Sequence, residues 1–86
     1  PEKITRSLYY EQMAEGYFQA GHEAKAIENY KLSMLHNPDN TSAYLGLADV
    51  YMKTDKHLLA LIALEDAVQL QAQSSEVLKR FGSLYI

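Results

Sequence analysis

The sequence predicts an all-α fold of antiparallel helical hairpins stacked side by side, and three observations carry the prediction. The chain resembles itself at an interval of 34 residues. Within each interval, apolar residues recur at helical spacing in two blocks. Glycine, proline and asparagine mark the joins between blocks.

The interval is read directly. Tyr10, Met13, Ala14 and Tyr17 are answered by Tyr44, Leu47, Ala48 and Tyr51; Ala26, Ile27, Tyr30, Ser33 and Met34 are answered by Ala60, Leu61, Leu64, Ala67 and Val68. Small positions stay small and large apolar positions stay large, as expected of a stacked array built from one supersecondary unit. A third copy begins at Leu78, Phe81, Gly82 and Tyr85.

The elements follow in order. A first helix is expected near 5–20, ended by Gly21, which can take the positive φ of a tight turn. A second is expected near 23–36. It stops at "NPDN", where Pro38 disfavours helical geometry at Asn37 and Asp39 or Asn40 can cap the next helix. The third, near 41–53, precedes Asp55, expected as N-cap of a fourth near 57–71. The boundary at "QAQSSE" lacks a proline, and Ser74 or Ser75 is expected to cap a fifth helix near 75–85. Ala14 should face Ala26 and Ser33, and Ala48 should face Ala60 and Ala67, since close helix crossings require small side chains.

Composition limits what such an array could do. The chain has 86 residues, no cysteine and a net charge of −3 with both signs interspersed, so disulfides and thiolate metal sites are excluded and a phosphate-binding surface is disfavoured. Nucleic acid is not an expected partner. The longest apolar run, Leu58 to Leu64, is far shorter than the roughly 20 residues of a membrane span. "HEAKA" at 22–26 approaches a zinc-protease pattern, but Ala26 stands where the second histidine is needed. His36 and His57 fall at helix ends, and no phosphate loop, nucleophile elbow or cleft carboxylate pair is found. The expectation is a non-enzyme without cofactor or metal. The chain starts without methionine and stops within an apolar helical pattern, so it is read as part of a longer protein, with a cytoplasmic setting favoured although no targeting segment is present.

The residues at this spacing resemble the tetratricopeptide repeat (TPR) family over about residues 7–86. Tyr10, Met13, Ala14, Tyr17, Ala26, Tyr30, Ser33 and Pro38 stand at its signature positions in the first unit; in the second, Ala72 stands where the proline would be. The resemblance implies a right-handed solenoid of five helices: a lead-in at 1–6, repeats at 7–40 and 41–74, and at 75–86 either the first helix of a truncated third repeat or a capping helix. It also implies a scaffold or adaptor whose concave wall, made by the first helix of each repeat, binds a peptide or helix of another protein.

The wall residues implied are Leu8, Glu11, Gln12, Glu15, Phe18 and Gln19 on the first helix. On the third they are Leu45, Asp49, Met52 and Lys53, and on the fifth Lys79 and Ser83, with Arg80 beside them. A partner segment carrying apolar anchors and a basic residue near Glu11, Glu15 and Asp49 is expected. Some co-chaperone members of the family clamp the acidic C-terminal tail of heat-shock proteins with Lys, Asn and Arg. The corresponding places here carry Glu11, Glu15, Gly46, Glu76 and Arg80, so that ligand is not expected. An alternative is self-assembly. Leu58, Leu59 and Ile62 stand where the family usually shows polar residues, as do Leu32 and Leu35, and a rimmed apolar cluster can mark an interface. The apolar fifth helix offers a second route to a homo-oligomer.

Overall fold

The computed structural model describes residues 2–70. Four helices follow one another: α1 (Glu2–Gln19), α2 (Glu23–His36), α3 (Thr41–Lys53) and α4 (His57–Leu70). α1 packs on α2 and α3 on α4, and the two hairpins are joined mainly through α2 against α3. The fifth helix expected near 75–85 lies outside the described residues.

α2 and α3 have the bounds expected from the sequence. α1 begins earlier, at Glu2: nothing between Glu2 and Arg6 breaks a helix, and a carboxylate in the first turn suits the positive end of the helix dipole.

The two hairpin turns are built alike. In the first, the amide of Gly21 donates to the carbonyl of Phe18 (3.1 Å) and that of His22 to the carbonyl of Tyr17 (2.8 Å). In the second, Asp55 donates to Met52 (3.2 Å) and Lys56 to Tyr51 (2.8 Å). This is the Schellman closure, which needs a left-handed residue just past the helix. Gly21 supplies it at φ +83° and Asp55 at φ +60°. Asp55 is therefore not the N-cap of α4, as expected from sequence, but the left-handed residue that ends α3. Its carboxylate lies 3.7 Å from the His57 ring.

Small residues sit at the crossings. Ala14 and Ala26 share a cluster with Tyr30, Ala43, Leu47, Val50, Tyr51 and Ala60. A second cluster, under α3 and α4, holds Leu45, Ala48, Ala63, Leu64 and Ala67. Ala48 and Ala67 belong to the second cluster, and Ala60 to the first, where it is buried with Val50 and Tyr51 of α3. Ser33 is not set against Ala14 but bonds to Ser7, 26 residues earlier.

Candidate functional site: an acidic wall over a polar knot

The buried stripe of α1 consists of Ser7, Glu11 and Ala14, so two of its three members are polar. Each serine hydroxyl donates to the other's backbone carbonyl, Ser7 Oγ to Ser33 O at 2.8 Å and Ser33 Oγ to Ser7 O at 2.7 Å. That uses both hydroxyl protons and leaves oxygen lone pairs to accept. The Asn40 amide supplies the donors, lying 3.0 Å from Ser7 Oγ, 3.2 Å from Ser33 Oγ and 2.9 Å from Glu11 Oε1. Ser42 donates to the other Glu11 oxygen. Asn40 occupies the N-cap position of α3, as expected, yet makes no side-chain cap bond, because its amide is turned into this knot. No buried side-chain nitrogen or oxygen among the described residues lacks a partner. A satisfied network of this kind positions Glu11, which is only 7% exposed.

Above the knot lies the wall. Tyr30, on α2, reaches between α1 and α3, and burial, then the carboxylates of Glu15, Glu11 and Asp49, push its hydroxyl up to about 12. It reaches there because residue 46 is glycine: a Cβ at Gly46 would stand 2.5 Å from Tyr30 Cζ and 2.7 Å from its oxygen. Beside this acidic section Phe18 and Met52 pack against the first core cluster. The Lys53 ammonium sits 5.3 Å from the centre of the Phe18 ring, a cation–π contact between α3 and α1.

The charges of Glu15, Glu11 and Asp49 all act on the Tyr30 hydroxyl, while Phe18 and Met52 pack on the first cluster and Lys53 lies over Phe18. Leu8 and Gln19 are exposed. Gln12 borders a separate depression, with Met13 and Gly16. Leu45, expected on the wall, is instead buried in the second cluster, because α4 lies directly against its face of α3. Lys79, Ser83, Glu76 and Arg80 lie outside the described residues. On α4, Leu58 is 78% and Ile62 56% exposed, with Leu59 exposed beside them.

Sequence reading missed Ser7, Asn40 and Ser42 as the support of Glu11, and Tyr30 as the floor of the wall. One signal was available: Ser33 stands where the next unit has Ala67, a polar residue in a core position.

No family model matches the chain. Residues of this chain are 33% identical over 73 positions to cellulose synthase operon protein C of Pseudomonas fluorescens (strain SBW25), a stretch that is 85% of this chain and 6% of that protein. The chain thus spans a small part of the curated relative it matches. Among solved structures it superposes on the first TPR of Spaghetti (RPAP3) bound to the HSP90 peptide SRMEEVD, with a TM-score of 0.90 and 23% identity over 94% of this chain and 66% of that one. The chain has the tetratricopeptide-repeat fold.

Proposed function

We propose that this TPR array is a protein-binding module of a longer protein, and that its inner wall takes a peptide or helix carrying a basic residue and an apolar anchor. The observation that supports this is the negative field that Glu15, Glu11 and Asp49 set up at the buried Tyr30 hydroxyl, next to the apolar section of Phe18 and Met52. A cation held there meets the carboxylates of Glu15 and Asp49, with the buried charge of Glu11 behind them, while its neighbouring side chain covers Phe18. Such complementarity sets partner choice more than raw affinity. The role is that of a scaffold and not of a catalyst.

The solved neighbour holds an acidic peptide. In this chain Glu15 and Asp49 on the wall, with Glu11 buried behind them, disfavour one. Calorimetric titration with SRMEEVD, and with the same peptide carrying lysine at its acidic positions, separates the two cases. The basic peptide is expected to bind, more weakly as salt rises, and to be lost in Glu15→Lys/Asp49→Lys; the acidic peptide is expected not to bind. Binding of the acidic peptide alone would reverse the reading.

A second reading rests on α4, where Leu58, Leu59 and Ile62 form an exposed apolar ridge. Their counterparts on α2, Ala24, Lys25 and Glu28, offer nothing similar. This ridge is a candidate contact between copies, as is the segment 75–86. A sedimentation profile that shifts with concentration and becomes monomeric in Leu58→Glu/Ile62→Glu would favour it over hetero-recognition.

A further inference from the structure

Three places on the wall recur 34 residues apart: Glu15 with Asp49, Phe18 with Met52, and Gln19 with Lys53. The first pair is acidic on both helices and the second apolar on both, but the third differs. Gln19 is uncharged, whereas Lys53, in the last turn of α3, is the only cation among the described wall residues. Its ammonium reaches across to α1 and sits 5.3 Å from the centre of the Phe18 ring. Lys53 is exposed and Phe18 half-buried, so a bound segment can reach both.

An apolar side chain laid on Phe18 competes with that ammonium for the ring. A cation–π contact at an exposed site is weak, and a charge-assisted bond to a carboxylate is stronger. The displaced ammonium is therefore best satisfied when the segment that displaces it also brings an acid.

We infer that Lys53 is a specificity-determining residue of the wall, selecting a peptide that carries a base, an apolar anchor and a carboxylate in that spatial order: the base toward Glu15, the anchor on Phe18 and the carboxylate at Lys53. This rests on the protein-binding role proposed above and adds the acidic third of the motif. From Glu15 to Phe18 the rise along α1 is about 4.5 Å. Alternate residues of an extended segment share a side and stand about 6.6 Å apart, so base, anchor and acid at every second residue fall within side-chain reach of the three stations. A wholly basic segment would set a like charge against Lys53.

The test is calorimetric titration of the full chain with the end-capped peptide Gly-Lys-Ser-Leu-Ser-Glu-Gly and with its counterpart carrying Gln for Glu. The Glu peptide should bind about fivefold more tightly. In Lys53→Met, which keeps an apolar stem without the charge, that preference should vanish: the Glu peptide weakens, while the Gln peptide binds unchanged or more tightly because the ring is uncovered. Lys31→Met, at an exposed lysine of α2, should preserve the preference, which separates a local contact from the field of the whole chain. Equal affinity of the parent for the two peptides overturns the inference, and loss of both in Glu15→Lys would then leave the simpler base-and-anchor reading standing. A preference that survives Lys53→Met, or is lost in Lys31→Met, also overturns it. If neither peptide binds at millimolar concentration, the inference and the reading beneath it fall together.

Discussion

Glu11 in the first hairpin and Leu45 in the second hold equivalent places, and both are buried, yet they are stabilised by different physics. Glu11 ends in a carboxylate fixed by Asn40 and Ser42; Leu45 packs against a cluster with Ala63, Leu64 and Ala67. The same contrast recurs at Ser33 against Ala67 and at Tyr30 against Leu64. The repeat decides which positions are buried and leaves their polarity open. Where every donor and acceptor is matched, a polar set fixes the register of two helices through direction; where there is only apolar surface, register follows from shape. The first hairpin spends its polarity supporting an acidic wall, and the second forms a plain core behind it.

Four changes break or sharpen the contrast. Leu45→Ala should have the largest effect, lowering stability by about 2–5 kcal/mol in urea unfolding, since it opens a cavity against α4. A loss below that range would mean that Leu45 lies outside the core. Glu11→Leu copies the second hairpin into the first and should still cost about 1–3 kcal/mol, because Ser42 and part of the Asn40 amide lose their acceptor; a neutral result would show the knot to be dispensable. Gly46→Ala should cost about 1–3 kcal/mol by forcing Tyr30 aside. Adding Tyr30→Leu, the residue of the second hairpin, should recover most of that loss in a double-mutant cycle.

The smallest effect is on pH dependence. An ordinary tyrosine titrates near 10, and Tyr30 is raised to about 12, so below pH 10 both folded and unfolded chains keep the proton and no dependence arises. Between about pH 10 and 12 the unfolded chain releases it first, and stability falls as pH rises. Tyr30→Phe should flatten melts compared over that window. A residual slope remains from Tyr44, which burial, then Asp66 and Asp39, also raise.

Much of the fold was legible because its signals are local. Gly21 and "NPDN" fixed the bounds of α2 and the start of α3, and the 34-residue interval placed the hairpins. Asp55 was misread because an aspartate before a helical pattern suggests a cap; its alignment with Gly21 carried the correct answer, since aspartate tolerates the left-handed region better than most residues. The wall was legible only in part. Glu11, Glu15, Asp49, Phe18 and Met52 come from the resemblance to the repeat family, but Asn40 meets Ser7 and Glu11 across 33 and 29 residues, and no periodicity reports such a contact. Leu45 was assigned to the wall because the resemblance gives a helix face without saying which neighbour covers it.

The chain has seven tyrosines and no tryptophan, so its ultraviolet emission comes from phenols alone. One of those phenols, Tyr30, forms the floor of the acidic wall, while its counterpart Leu64 is optically silent. If the wall takes a cation as proposed, its entry beside Glu15 and Asp49 would alter the field at that ring, and occupancy would be followed by the chain's own light without an attached dye.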